Sequence, residues 1–175
     1  MTNRRQFLQY SVAASSLPFT YVFAPPLSSR AADTIKPYKV IYDERFTDSV
    51  AFARASRSPV HAIRGDITDL WYDDLYYQWQ SSPVAIAGLT AGNSLFCLEL
   101  LARDAGLRVL YQGDHIPDTN GHLVHEIQAP AVLLKQAAVL ETGAAWPDLI
   151  ARLISSCPCN SGTTGSTRVR RSRKI

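Results

Sequence analysis

An α/β domain with a largely parallel sheet is what this sequence predicts, and three observations predict it. Strand-like and helix-like runs alternate from residue 38 to residue 115, each strand-like run has a polar or glycine-bearing end, and turn formers separate the runs. Alternation at this spacing indicates βαβ units with right-handed crossovers.

The elements follow in chain order. "YKVIYDE" is a short run rich in β-formers, and "FTDSVAFARAS" is a helix with Thr47 as N-cap and Val50, Phe52 and Ala53 as apolar contacts. "PVHAIRGDIT" is the second strand, followed by "TDLWYDDLYYQWQ", a helix capped by Thr68 or Asp69. "PVAIAGLT" and "NSLFCLELLARDAG" form the third strand and helix, the latter closed by Gly106, and "LRVLYQGDH" is the fourth strand. "IPDTNG" is rich in turn formers and "HLVHEIQA" reads as a strand, so Leu107 to Ala129 is expected to fold as a hairpin that adds an antiparallel edge. "AVLLKQAAVLE", stopped by Gly143, and "AWPDLIARLIS", with Pro147 in its first turn, are helices. The expected architecture is therefore a Rossmann-like or flavodoxin-like parallel sheet with an antiparallel edge hairpin and C-terminal helices.

Three regions are expected: a leader over 1–31, a single α/β domain over 36–156, and a tail over 157–175. The tail is Ser, Thr, Gly and Arg without apolar periodicity, and such a composition predicts disorder. The net charge of +3 conceals an uneven distribution. Eight of the 18 basic residues lie in the leader or the last eight positions, so 10 remain against 15 acidic residues and the body is near −5. An acidic body argues against nucleic-acid binding as the main role. Cys97 sits in an apolar helical run and reads as a small core residue, while Cys157 and Cys159 are too few for a zinc site of their own.

The chain begins "MTNRRQFLQYSVAASSLPF". Arg4 and Arg5 form a basic region, Phe7 to Ala24 is apolar but diluted by Gln9 and several hydroxyl residues, and "SSRAAD" offers small residues at Ser29 and Ala31 for cleavage. "NRRQFLQ" resembles the bacterial twin-arginine (Tat) export signal, with Arg4, Arg5, Phe7 and Leu8 matching its pattern and Asn3 and Gln9 departing from it. A transmembrane anchor is the poorer reading, because the stretch falls short of the ~20 consecutive apolar residues required and Pro18 interrupts it. The resemblance covers the leader alone. It implies the Tat translocase as export partner, a periplasmic or secreted location, and cargo that crosses already folded, often with a cofactor or a partner protein attached. The sequence names no cofactor.

The strand ends carry the candidate chemistry: Asp43-Glu44, Gly65-Asp66, Gly88-Leu89-Thr90 and Gly113-Asp114-His115. In an open parallel sheet these ends share one rim where ligands bind, although βα loops use the same residues as turns and caps. "GLTAGNS" places Gly88, Gly92, Asn93 and Ser94 at a helix N-terminus, which suits a small anionic ligand. The expected ligand-binding set is Asp43, Asp66, Gly88, Thr90, Gly92, Asn93, Ser94 and Asp114. The same segment satisfies G-x-[Ser/Thr]-x-G with Thr90 in the nucleophile position, and Asp114 followed by a histidine completes a hydrolase order. His115 and His122 would face each other across a turn centred near Asp118-Thr119 and could hold a metal with Asp114 or Glu126. Solvated loop histidines explain the same residues.

Trp71, Tyr72, Tyr76, Tyr77 and Trp79 crowd one helix. Leu70, Trp71, Leu75 and Trp79 form a core stripe, which leaves other rings for a partner surface at Trp71, Tyr72, Tyr76 and Tyr77. The expectation is an exported accessory protein that binds a small ligand or docks on an exported enzyme. The alternative is a periplasmic hydrolase or metal-dependent enzyme using Thr90 or the His115/His122 hairpin. A further variant is a subunit whose signal exports a catalytic partner lacking one.

Overall fold

A computed structural model describes residues 18–25, 35–117, 122–137, 145–155 and 164–174. Its strands are β1 (Pro18–Ala24), β2 (Lys39–Asp43), β3 (Val60–Ile63), β4 (Ile86–Ala91), β5 (Arg108–Pro117), β6 (His122–Pro130) and β7 (Thr164–Lys174). Its helices are α1 (Thr47–Ala55), a composite α2, α3 (Gly92–Asp104), α4 (Ala131–Ala137) and α5 (Trp146–Ser155). Helix α2 begins at Thr68–Leu70, passes through a π-helical turn at Trp71–Leu75 and continues as Tyr76–Ser81.

The strands form one mixed sheet in the order β3-β2-β4-β1-β5-β6-β7. Strand β2 is parallel to β3 and β4, as the alternating pattern predicts. Strands β5 and β6 form the expected antiparallel hairpin. The sheet departs from a purely parallel core at its centre. Strand β1 runs antiparallel between β4 and β5, so β2, β3, β4 and β5 keep one direction while a reversed strand separates β4 from β5.

Strand β1 is "PFTYVFA", and it lies in the apolar part of the expected leader. Thr20, Tyr21, Val22 and Phe23 are all buried, because helices cover both faces of the sheet around it. A strand buried on both sides needs no polar alternation and reads as a continuous apolar run. An export leader has the same signature. Arg4, Arg5, Phe7 and Leu8 lie outside the described residues.

Two further expectations change. Residues 164–174 of the expected disordered tail form β7, which pairs antiparallel with β6 from Thr164 opposite Pro130 to Lys174 opposite His122. Backbone pairing covers an otherwise open edge and needs no apolar residues. Cys97 is exposed on the solvent side of α3, because Leu95, Leu98 and Ala102 are the residues that turn inward. Cys157 and Cys159 lie outside the described residues, as does Gly143.

Each face carries its own core. Val22, Val40, Phe52, Leu89, Ile127 and Trp146 pack where α1, α4 and α5 cover one side. Tyr21, Ile41, Leu75, Trp79, Ile86 and Leu98 pack on the other, against α2 and α3. The π turn has a packing reason. Leu70 and Leu75 are both buried, and one extra residue per turn lets positions five apart meet the same sheet.

Candidate functional site

Pairing places Asp43 opposite Ile63, Thr90 opposite Phe19, and Phe19 opposite Asp114. Since Tyr42 pairs with Leu89, Asp43 and Thr90 occupy the next rung together. Asp43, Thr90 and Asp114 therefore share one row of strand ends, whereas Asp66 follows β3 in a loop outside the pairing. Three strand spacings of ~4.8 Å separate Asp43 from Asp114, so they stand about 14 Å apart. Phe19 sits between Thr90 and Asp114.

At the β2 end, Asp43 is fully buried, and Arg45 grips both its carboxylate oxygens through Nε at 2.8 Å and a terminal nitrogen at 2.6 Å. The Asp43 amide donates to Ser49 Oγ at 2.8 Å, and that hydroxyl donates to the Leu89 carbonyl, tying β2 to β4. Burial of a carboxylate is tolerated only with such pairing. Gly65 adopts φ +84°, and a Cβ there would lie 2.7 Å from the guanidinium carbon of Arg45. Its carbonyl accepts from Ser94 Oγ at 2.9 Å and Asn93 Nδ2 at 3.4 Å. Asn93 and Ser94 thus fasten α3 to the β3–α2 loop. Gly65→Ala is expected to lower stability by about 1–2 kcal/mol from left-handed strain alone, with the Arg45 contact adding to it. A denaturant titration reads this, and an unchanged midpoint would contradict it.

Asp66 is exposed, and its Oδ1 accepts from the Thr68 amide at 2.9 Å and the Thr68 hydroxyl at 2.7 Å. Those bonds hold its carboxyl below the usual range, so it caps α2 as an anion. Gly88 and Gly92 answer to β1. A Cβ on Gly88 would lie 2.5 Å from both the Ile41 carbonyl and the Tyr21 ring, and one on Gly92 would lie 2.9 Å from the Phe19 ring. The glycines of "GLTAGNS" make room for aromatic side chains of the neighbouring strand rather than for a ligand.

Thr90 is buried within β4 and donates to the Ala91 carbonyl at 3.3 Å. Its side of the sheet holds Tyr21, whose phenol burial drives far above its usual range while the Thr90 hydroxyl opposes that shift. His115 lies on the opposite side, with Thr20 and Trp146. Thr90 and His115 cannot form a nucleophile–base pair across the sheet, and a nucleophile elbow needs an exposed hydroxyl. Asp114 is half-buried beside Glu126, its partner in register, and one carboxylate oxygen is buried without a hydrogen bond. Burial first, and the Glu126 charge second, push its carboxyl up.

The residue opposite His115 is His125, not His122. Pairing of Pro117 with Leu123 sets this register, which places the partner of His115 three residues later than a turn centred at Asp118-Thr119 would. His115 Nδ1 lies 2.7 Å from His125 Nδ1, and His115 Nε2 lies 2.8 Å from Thr20 Oγ1. Both rings rest on Trp146, with centroids 4.3 and 5.2 Å away, and both are buried. One proton bridges the two Nδ1 atoms, so at least one ring is neutral. Burial first, and the neighbouring imidazole second, hold His115 well below its usual range. Nitrogens in direct hydrogen-bond contact leave no place for an ion between them, and among the described residues no group of three or more His, Cys, Asp or Glu could hold a metal. The pair is a structural clamp joining β1, β5, β6 and α5.

No family model, curated protein or solved structure matches this chain significantly.

The aromatic segment behaves differently from the rim. Tyr72 and Tyr77 are 64% and 66% exposed, Tyr76 is 37% exposed, and Trp79 is buried with its indole N–H on the Val84 carbonyl at 3.2 Å. Trp71 is partly buried and meets Tyr76 and Trp79 edge-on at 5.6 and 5.9 Å. A cleft of about 400 Å³ opens between α2 and α3, lined by Trp71, Tyr76, Trp79, Leu101, Asp104 and Ala105 among others. Arg45, Thr20 and Trp146 were missed as site-forming residues, and His125 was not recognised as the partner of His115. For Arg45 the adjacency of Asp43 in "DER" was the available signal, whereas the others became neighbours only through β1 and the hairpin register.

Proposed function

We propose that this chain is a non-catalytic, exported accessory protein that docks on an exported partner protein through the aromatic face of α2. Exposed Tyr72 and Tyr77 beside the Trp71–Tyr76 cluster carry the reading. Tyrosine and tryptophan rings that gain burial on association supply most of the energy of typical interfaces. The candidates for chemistry are otherwise engaged. Asp43 is saturated by Arg45, Asp66 caps a helix, and Thr90 and His115 are buried on opposite faces. Arg45 is neutralised by Asp43, so the rim lacks the excess positive charge that a small anionic ligand favours. Kinship to Rossmann-like or flavodoxin-like sheets is proposed for the β2–α1–β3–α2–β4 unit only.

Export by the twin-arginine route belongs to the proposal and rests on Arg4, Arg5, Phe7 and Leu8. That route moves folded chains, and because Pro18–Ala24 of the expected leader form the central strand β1, the exported form proposed here keeps those residues. Among the described residues no helix is long and apolar enough to cross a membrane.

The test is native mass spectrometry of the periplasmic protein, comparing wild type with the double variant Tyr72→Ala/Tyr77→Ala. A partner protein is expected on the wild type and at least ~10-fold depleted on the variant, since hot-spot truncations cost 2 kcal/mol or more. Changes at exposed positions stay within ~0.5 kcal/mol of stability, so folding should be unaffected. A wild-type protein that is always alone, or a variant that keeps its partner, would refute the docking face.

A further inference from the structure

Strand β3 ends the sheet, and its pairing leaves one side of its backbone open. Among the described residues it pairs with β2 alone. The carbonyls of Pro59 and Ile63 accept from the amides of Val40 and Glu44. In a parallel ladder alternate residues face the partner strand, so the odd-numbered residues of β3 face β2 and the amides and carbonyls of Val60 and Ala62 point outward. Val60 is 49% exposed and Ala62 is exposed as well.

Beside this edge runs a groove of about 330 Å³, floored by Ile63 and Leu70 and walled by Glu44, Arg64, Asp66 and Asp69 among others. Arg64 is held by Glu44 in an ion pair. Asp66 and Asp69 form no ion pair among the described residues, and His61, which also lines the groove and feels the Asp69 charge, is held below its usual range chiefly by burial. The groove therefore pairs an unfilled row of backbone donors and acceptors with an uncompensated negative wall. Both features select the same occupant. An extended segment supplies the hydrogen bonds, and basic side chains supply the charge.

We propose that the β3 edge is a docking site for an extended, lysine- or arginine-bearing segment of a partner protein, which adds to the sheet beside Val60–Ile63. The segment lies along the groove with its backbone on Val60 and Ala62 and its cationic side chains on Asp66 and Asp69. This goes beyond the aromatic docking face, which is a separate surface, and either can fail without the other.

The test uses the full chain, isotope-labelled, with two synthetic octapeptides, one alternating lysine and valine and one alternating glutamate and valine. The lysine peptide is expected to shift and protect the Val60 and Ala62 amides, and its affinity should fall as salt is raised. The glutamate peptide should bind at least ten times more weakly. Ala62→Pro should abolish binding, because it removes an outward amide that β2 does not use. Asp66→Asn/Asp69→Asn, which leaves the ladder untouched, should weaken the lysine peptide about tenfold and serves if the proline variant fails to fold. Tyr72→Ala/Tyr77→Ala should bind it as wild type does. The proposal is overturned by equal binding of both peptides, by no perturbation at Val60 and Ala62, or by undiminished binding to the Asn variant. A dimer of this chain that already occupies the edge would overturn it too.

Discussion

Deleting residues 1–31 is expected to unfold the domain, whereas deleting residues 1–17 is expected to leave it folded. Strand β1 contributes Tyr21, Val22 and Phe23, each essentially inaccessible to solvent. Burying a side chain of this size contributes ~1.5–3 kcal/mol, so the trio accounts for roughly 5–9 kcal/mol. That is comparable to the entire ~5–15 kcal/mol stability of an ordinary domain. The strand also holds the sheet together, since the β3-β2-β4 and β5-β6-β7 parts are joined through it. Without it, β4 and β5 each lose one of their two ladder partners, and Thr20 is lost from the histidine clamp. Circular dichroism and denaturant titration of the 18–175 and 32–175 chains measure the difference. Cooperative unfolding of the shorter chain at the same midpoint would show that β1 is dispensable. For an exported protein the corollary is an intact mass that includes residues 18–24. Cleavage near Ala31 would remove the centre of the sheet.

Acidification is expected to destabilise the fold through His115. Its folded form stays neutral well below the usual histidine range, because a charge there would be buried against Trp146, Thr20 and a second imidazole. The unfolded chain takes up that proton near pH ~6.5. Below this pH the unfolded state binds more protons than the native state, so stability falls as pH falls until the folded value is reached. One such group sets a slope of at most ~1.4 kcal/mol per pH unit. Asp114 acts in the opposite sense, since its folded carboxyl holds its proton more tightly than an unfolded one. The measurement is therefore a comparison of wild type with His115→Gln in urea titrations from pH 7 to pH 4.5. The variant should lose part of the acid sensitivity. Parallel curves would mean that the clamp does not control it.

The strands and helices from residue 38 to 115 were legible because each is encoded by its own periodicity and its own turn residues. Gly106 closes α3 at φ +77° and Pro147 lies in the first turn of α5, as the sequence predicts. The common direction of β2, β3, β4 and β5 was legible for the same reason. The rim was legible only as an alignment. Asp43 and Asp66 do lie at strand ends, but their neighbours Arg45 and Thr68 use them for structure.

Partner choice could not be read locally. "PFTYVFA" has the same apolar run whether it enters a translocation channel or the middle of a sheet, and only the coverage of both faces distinguishes them. The glycines at 88 and 92 looked like an approach for a ligand, because rings from a strand some 70 residues earlier cannot be foreseen from the loop itself. A shift in hairpin register exchanged His122 for His125 and turned two solvent-facing histidines into a buried pair. Periodicity specifies what a segment is, since that depends on adjacent residues. Which segments meet depends on burial summed over the whole chain, and there the three-dimensional packing had the final word.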